Sequence, residues 1–448
     1  MFFPQVAMKA NMTDAAEPAV TPRGALESAA LSDVGLRRGN NQDSYAVVLA
    51  ADDADWRRRG HLFLVADGMG AHAAGELASK MASESIGHAY RKLLDRQPVD
   101  ALTEAVVAAN ATIHDRGQAN AEFQGMGTTC SVLVLLPRKA LIAHVGDSRV
   151  YRLRNSQLDQ LTFDHSLVWE MQAAGQLPCG DVAHFIPKNI ITRSLGPHPE
   201  VQVDMEGPLE LEAGDTFLLC SDGLSGQVKD EEIGAVLAAL SPQEAVRVLV
   251  DMANLRGGPD NITAIAARVS TLPTDGDGEV EPLPPIHPTG SSTHPALWIG
   301  MAACLAAALA LGAGGYYIAA FIGVLLAAAA AVVALLPNLS PSKPPAEQAN
   351  RGAKRAGPYA TFDCTPNAAA VAVLCQMAQQ LRDAAKDEHW TLDWGRFNAY
   401  GEQAQTALAS RDFKTAIRQY ALAISFMMSE IRGQSIRKDQ RDNSVLDI

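Results

Sequence analysis

Strand-like apolar runs in this chain end again and again on an aspartate beside a glycine: HLFLVADGMG at residues 61–70, ALIAHVGDSR at 140–149 and DTFLLCSDGL at 215–224. Two further aspartates keep similar company, Asp43 after the arginine-rich turn GLRRGNNQDSY and Asp260 at the head of DNITAIAARV. Taken singly, Asp-Gly after a strand is a turn, because Gly supplies positive φ and Asp caps the turn. Recurrence changes that reading. Each run would be buried, so folding must bring several carboxylates to the ends of buried strands, where they repel one another unless a cation lies between them. Carboxylates gathered from distant strand ends make the all-oxygen cages that suit hard divalent cations.

At 448 residues the chain exceeds one ordinary domain. Within residues 31–270, helix pairs are separated by strand pairs, a pattern that predicts an α+β fold of antiparallel sheets covered by helices. One helix start is explicit in SPQEAVRVLVDMANLR: Ser241 as cap, Pro242 at the first position and Glu244 at the third. Residues 1–30 lack the apolar core of a signal peptide and read as a disordered lead-in. Residues 271–296, rich in Pro, Gly and acid, read as a linker.

Residues 360–432 have helical periodicity throughout and predict a small all-α domain, with 337–359 as a basic linker before it and 433–448 as a disordered tail. Its stretches 392–409 and 412–431, joined at Ser410 and Arg411, resemble a tetratricopeptide unit, though one such unit cannot bury its own face. Protein partner binding is the role expected of this region.

Between these parts, Leu297 to Leu336 contains no charged residue. As one helix it would reach about 60 Å, about twice the thickness of a bilayer's hydrocarbon. Gly312, Gly314 and Gly315 interrupt it, so a transmembrane hairpin, 297–313 and 316–336, fits better than a single span, which remains the alternative. The preceding linker carries acids and no Lys or Arg, whereas Lys343, Arg351, Lys354 and Arg355 follow the run. That asymmetry places the C-terminal flank in the cytoplasm. Two spans also keep residues 1–296 there, which predicts a multi-pass protein of the cell membrane.

The 37 basic against 50 acidic residues, net -13, exclude general nucleic-acid binding, whose affinity comes from Lys and Arg neutralising phosphates. The six cysteines show no CxxC spacing and read as reduced thiols; Cys364 and Cys375 could pair only outside the cell. No cysteine has an arginine six positions on, so a phosphocysteine mechanism lacks its phosphate-cradling loop.

The ordered set GLRRGNNQDS, VADGMGAHAAGELAS, GTTC, HVGDSRVYRL, LTFDHS, ITRSLG, LLCSDGL and DNIT resembles the bacterial branch of the metal-dependent protein phosphatases, the type 2C Ser/Thr phosphatases, over residues 31–270. The resemblance implies a four-layer α-β-β-α sandwich of two antiparallel sheets flanked by helix pairs. It implies that Asp43, Asp67, Asp222 and Asp260, with the backbone carbonyl of Gly68, hold two manganese or magnesium ions. Asp147 matches the position associated with a third, more weakly held metal. Two cations about 3.5–4 Å apart can share a water and align it for in-line attack on phosphorus.

Arg38 matches the family's phosphate-binding arginine, with Arg37 as the alternative. Some members carry His directly after the Asp-Gly, where this chain has Met69; His72, three residues later, is the candidate general acid, with a metal-bound water equally available. Gln42 and Ala71 also depart from the family pattern, and both departures leave the ligands intact. His165 reads as a structural hydrogen-bonding residue, and 166–190 corresponds to the family's variable flap. The implied activity is hydrolysis of phosphoserine and phosphothreonine in proteins, including Ser/Thr kinases, by a membrane-tethered enzyme with its catalytic domain in the cytoplasm. The alternative is a catalytically weak or dead phosphoprotein-binding scaffold, and it is disfavoured because every ligand position is filled.

Overall fold

The structure, a computed structural model, describes residues 19–20, 26–70, 73–173, 190–273, 358–388 and 390–446. The strands are β1 (Ala19–Val20), β2 (Leu26–Asp33), β3 (Asp43–Val48), β4 (His61–Met69), β5 (Gly127–Thr128), β6 (Cys130–Leu135), β7 (Lys139–Val145), β8 (Arg149–Arg154), β9 (Gln157–Gln160), β10 (Asp204–Glu210), β11 (Thr216–Cys220), β12 (Ile262–Val269) and β13 (Ala360–Asp363). The helices are α1 (Asp53–Arg59), α2 (Ala74–Lys92), α3 (Pro98–Ala119), α4 (Leu167–Ala173), α5 (Asp222–Ser225), α6 (Asp230–Ala239), α7 (Pro242–Leu255), α8 (Ala368–Asp387), α9 (Trp394–Ala409) and α10 (Phe413–Leu446).

All strand pairs are antiparallel, and they form two sheets ordered β1-β2-β12-β11-β8-β9-β13 and β10-β7-β6-β4-β3. Strand alternation explains why the runs look uniformly apolar. Along β4, Phe63 and Val65 enter the core between the sheets, while Leu62, Leu64 and Ala66 pack under α2 and α3. Along β11, Phe217 and Leu219 face the first core and Leu218 and Cys220 face the α6–α7 side. Both faces of each sheet are buried, so period two carries no polar signal here. Helix α7 begins as its sequence predicts: Ser241 Oγ accepts from the Glu244 N–H, and the Glu244 carboxylate accepts from the Ser241 N–H at 3.0 Å.

Several boundaries differ from the sequence reading. The sheet begins inside the expected lead-in, because β2 from Leu26 pairs with β12 along its whole length, Leu26 opposite Val269. Its sequence LESAALSD alternates poorly, and the partner strand supplies the order that local pattern does not signal. Helix α10 continues to Leu446 through the expected tail; helix propagation from a packed start adds one hydrogen bond per residue fixed.

The C-terminal helices pack on one another as expected, but their core is not closed off from the rest. Leu374, Leu381, Ile417, Ile424 and Met427 share one core with Ile233, Val236, Leu237 and Leu249 of α6 and α7. Strand β13, expected as helix, pairs with β9 at the sheet edge, Phe362 opposite Leu158. The α9–α10 hairpin turns at Arg411, which has φ 60. Cys364 and Cys375 are both free. The uncharged run Leu297–Leu336 lies outside the described residues; among these, no helix is long and apolar enough to cross a membrane.

Candidate metal centre

The topology brings the strand-end aspartates to one end of the two sheets. Asp43 opens β3 and stands directly opposite Asp67 of β4, a cross-strand placement of like charges that is unfavourable in itself. In the other sheet, β11 ends at Cys220 just before Asp222, and β12 starts just after Asp260; these strands are antiparallel neighbours, with Cys220 opposite Ala264. Asp147 lies between β7 and β8, and β8 starts opposite Cys220.

Hydrogen bonds fix the carboxylates of Asp43 and Asp260 and the backbone that carries Asp67. Asp43 Oδ2 accepts from Ser221 Oγ at 2.7 Å, and Thr263 adds a second hydrogen bond. The Asp67 N–H donates to Thr129 Oγ1 at 2.8 Å, and that hydroxyl also bonds Ser148, next to Asp147, at 2.7 Å. Asp260 Oδ1 accepts the Asn261 N–H at 2.9 Å, and its Oδ2 accepts from Arg38 Nη2 at 2.8 Å. Asn261 draws the surrounding loops together: its Oδ1 accepts the Gln42 N–H, and its Nδ2 donates to the carbonyls of Val34 and Asn40.

Burial and mutual repulsion raise the affinity of Asp43, Asp67, Asp147 and Asp222 for protons. Asp43 is pushed up to about 7, chiefly by burial, with the charges of Asp222 and Asp260 adding to it against the pull of Thr263 and Ser221. Burial and then Asp222 and Asp164 push Asp147 up to about 7 as well. Asp67 is raised well above the usual carboxylate range by burial and the charges of Asp43, Asp222, Asp147 and Asp260. Asp222 is raised by burial and Asp260.

One oxygen on each of Asp43, Asp147 and Asp222 is buried without a hydrogen-bond partner. Orphan buried acceptors on residues that feel one another's charge are the donor set a hard cation takes. Among the described residues, no three of these groups stand close enough together to hold a metal ion as they are, although Asp67 and Asp222 share a hydrogen bond. Gly68 is set by sterics: a Cβ there would lie 2.2 Å from the Gly75 carbonyl and 2.5 Å from that of Gln42.

Arg38, rather than its neighbour Arg37, is the arginine that reaches Asp260. Their side chains are 48% and 34% exposed, so the pair contributes little stability; its value is to place a guanidinium at the rim. His72 lies outside the described residues, as does the flap segment 174–189. His165 is buried, accepts the Gly146 N–H on Nδ1 at 2.9 Å and contacts Asp204 through Nε2 at 3.0 Å. It thereby fixes the backbone beside Asp147.

Sequence reasoning assigned no role to Ser221, Thr263, Thr129 or Asn261. They stand in CSDG, DNIT and GTTC, motifs visible in the chain, but a hydroxyl or amide beside a strand gives no sign of its partner until the sheets are assembled.

A two-sheet sandwich with carboxylates converging at one end defines the class, and the comparisons agree: the chain belongs to the protein phosphatase 2C family. The family model, described as protein phosphatase 2C, matches residues 37–254. The chain is 40% identical over 247 residues to the protein phosphatase PhpP of Streptococcus pneumoniae, a match spanning 53% of this chain and 95% of that protein. A solved bacterial serine phosphatase is similar at 30% identity with a TM-score of 0.50, over 56% of this chain and 100% of the other. The catalytic domain of the serine/threonine phosphatase PstP, solved with two manganese ions, is 36% identical with a TM-score of 0.46, over 55% of this chain and 99% of that domain.

Proposed function

We propose that this chain is a metal-dependent protein serine/threonine phosphatase that removes phosphate from phosphoserine and phosphothreonine in proteins and so opposes serine/threonine kinases. The observation that carries the reading is the convergence of Asp43, Asp67, Asp147, Asp222 and Asp260 at one end of the sandwich, with three of them holding a buried oxygen that has no partner. Asp43, Asp67, Asp222 and Asp260, with the Gly68 carbonyl, are assigned to two divalent cations, and Asp147 to a third. When bound, such cations supply the Lewis acidity that activates water and offsets charge on the phosphoryl group.

The chain's own groups do the rest. Arg38 keeps Nε and Nη1 without a protein partner among the described residues, leaving donors for phosphate oxygens. Ser221 and Thr263 orient Asp43, and Asn261 holds the Arg38 loop against Asp260. The departing serine or threonine oxygen takes its proton from His72 or from water. Hydrolysis of a phosphothreonine peptide by the full chain, measured with manganese, with chelator and with Asp222→Ala, is the test. Manganese is the first cation to try, since PstP's catalytic domain holds two. We expect activity only in the first condition; activity that survives both chelator and substitution would overturn the assignment.

We also propose that the enzyme is tethered to the cell membrane with its catalytic domain in the cytoplasm. The uncharged run Leu297–Leu336 and the cations Lys343, Arg351, Lys354 and Arg355 after it support this. A topology reporter fused after Arg355 should report the cytoplasm, and activity only outside the cell would rule the hairpin out.

A further inference from the structure

The C-terminal helices cover the outer face of α6 and α7, and at one point their contact leads through α7 toward the candidate site. Asp251 of α7 has a side chain 1% exposed, and its partners come from α10: Arg432 Nη2 donates to Oδ1 at 2.6 Å, and Ser425 adds a hydrogen bond. One turn further along α7, Asn254 Nδ2 donates to Asp33 Oδ1 at 3.2 Å, and the same oxygen accepts the Gly35 N–H at 2.8 Å. Asp33 lies near enough for its charge to oppose that of Asp251.

Beyond α7 the backbone turns through Gly257 and Gly258, with φ 111 and 42, and the Gly258 carbonyl accepts the Leu36 N–H at 2.8 Å. Gly35, with φ 76, passes so close to Asp260 that a Cβ would lie 2.1 Å from its carbonyl oxygen. The loop carrying Arg38 thus rests on the end of α7 and on the buried Asp33. Arg256 is engaged by Glu232 on α6, and the cation that pairs with Asp251 is Arg432.

We infer that Arg432, in a segment well beyond the family match that ends at residue 254, is a positioning residue for the Gly35–Arg38 loop: by neutralising Asp251 it keeps Asn254 and Asp33 where they hold Arg38 beside Asp260. Removing one member of a buried pair leaves an uncompensated charge. Where Asp251 stays ionised, that charge would face Asp33, and loosening the Asp33–Asn254 contact on which Gly35 rests relieves it.

The test is site-resolved amide hydrogen exchange on the full chain. In R432M, exchange at Gly35 and Leu36 should speed by about tenfold or more, while amides of β6 and β7 in the other sheet keep wild-type rates. R432K, which keeps the charge, and D251N/R432M, which removes both charges, should each exchange as wild type at Gly35 and Leu36. The kinetic readout, which alone rests on the phosphatase reading, should show KM for a phosphothreonine peptide rising about tenfold in R432M with kcat within about twofold.

Unchanged exchange at Gly35 and Leu36 in folded R432M, or an equal speeding throughout the molecule, would overturn the inference by marking Arg432 as merely structural. If R432M does not fold, the other two variants carry the test: both must fold and keep wild-type exchange at Gly35 and Leu36, and loosening in either overturns it. Exchange needs no activity, so its result stands apart from whether the wild-type chain hydrolyses the peptide.

Discussion

Ser221 Oγ donates to Asp43 Oδ2 at 2.7 Å across 178 residues of sequence, joining the end of β11 in one sheet to the start of β3 in the other. The bond turns one oxygen of Asp43 toward the protein and leaves Oδ1 without a partner. Ser221→Ala should weaken manganese affinity about tenfold, the usual cost of losing a group that orients a ligand. The Thr263 N–H, which donates to Ser221 Oγ at 3.0 Å, is orphaned too, so stability should fall by about 1–3 kcal/mol. Titration calorimetry and urea denaturation measure the two effects, and unaltered affinity would count against Asp43 as a ligand.

Manganese binding should depend on pH with a definite sign. Burial and neighbouring charge hold Asp43 and Asp147 at about 7, so protons compete with the cation below that value. Affinity should fall as pH drops from about 7.5 to about 5.5, with more protons released per cation at the lower pH. Calorimetry in two buffers of different ionisation enthalpy counts those protons. Affinity that stays level across this range would show that these carboxylates do not bind the metal.

Arg38→Lys keeps the charge and loses the planar fork. We expect KM for a phosphothreonine peptide to rise about tenfold, with a stability change under about 1 kcal/mol because the pair with Asp260 is exposed. Steady-state kinetics and thermal denaturation separate the two, and unchanged kinetics would move the phosphate-binding role elsewhere, with Arg37 the first alternative.

Two glycines form a matched pair. A Cβ on Gly223 would lie 1.9 Å from the Asn261 carbonyl oxygen, whereas Gly39 has nothing within 4 Å. Gly223→Ala should therefore cost about 1–3 kcal/mol of stability and disturb both Asp222 and Asp260. Gly39→Ala should stay within about 0.5 kcal/mol. Denaturant midpoints check both, and equal effects would contradict the packing described.

Asp251 gives a pH test of the α7–α10 contact. Burial raises it from 3.8 to about 6 in spite of Arg432 and Ser425. The folded chain therefore binds that proton more tightly than the unfolded chain does. Its contribution to stability is full below about 4 and declines as pH rises to about 6. Asp251→Asn lacks this titration, so the stability of wild type relative to the variant should fall across that window, read by urea denaturation at each end. A difference that does not move with pH would mean Asp251 titrates as an ordinary exposed carboxylate.

Much of the site is legible in the chain because its ligands are backbone-adjacent: Asp67, Asp147 and Asp222 each follow a run that must be buried, and burial alone tells where the carboxylate will lie. The helix start at Ser241 is legible for the same local reason. What stays hidden depends on partners distant in sequence. LESAALSD becomes a strand because β12 lies beside it, and Ala360–Asp363 becomes one because β9 has a free edge; neither segment signals this on its own. Arg432 and Asp251 likewise give no sign of each other until two helices 181 residues apart are packed together.

The pairing of β13 with β9 also bears on how the chain is made. Phe362 meets Leu158, so the edge of the sheet at β9 is synthesised roughly 200 residues before the strand that covers it, which at ribosomal speed is on the order of 10–40 s. Through that interval the nascent domain presents an open edge of backbone donors and acceptors, the surface from which strands of separate chains recruit one another. Arg152 and Asp159, paired at 2.7 Å beside this edge, place charge where an intruding strand would have to dock.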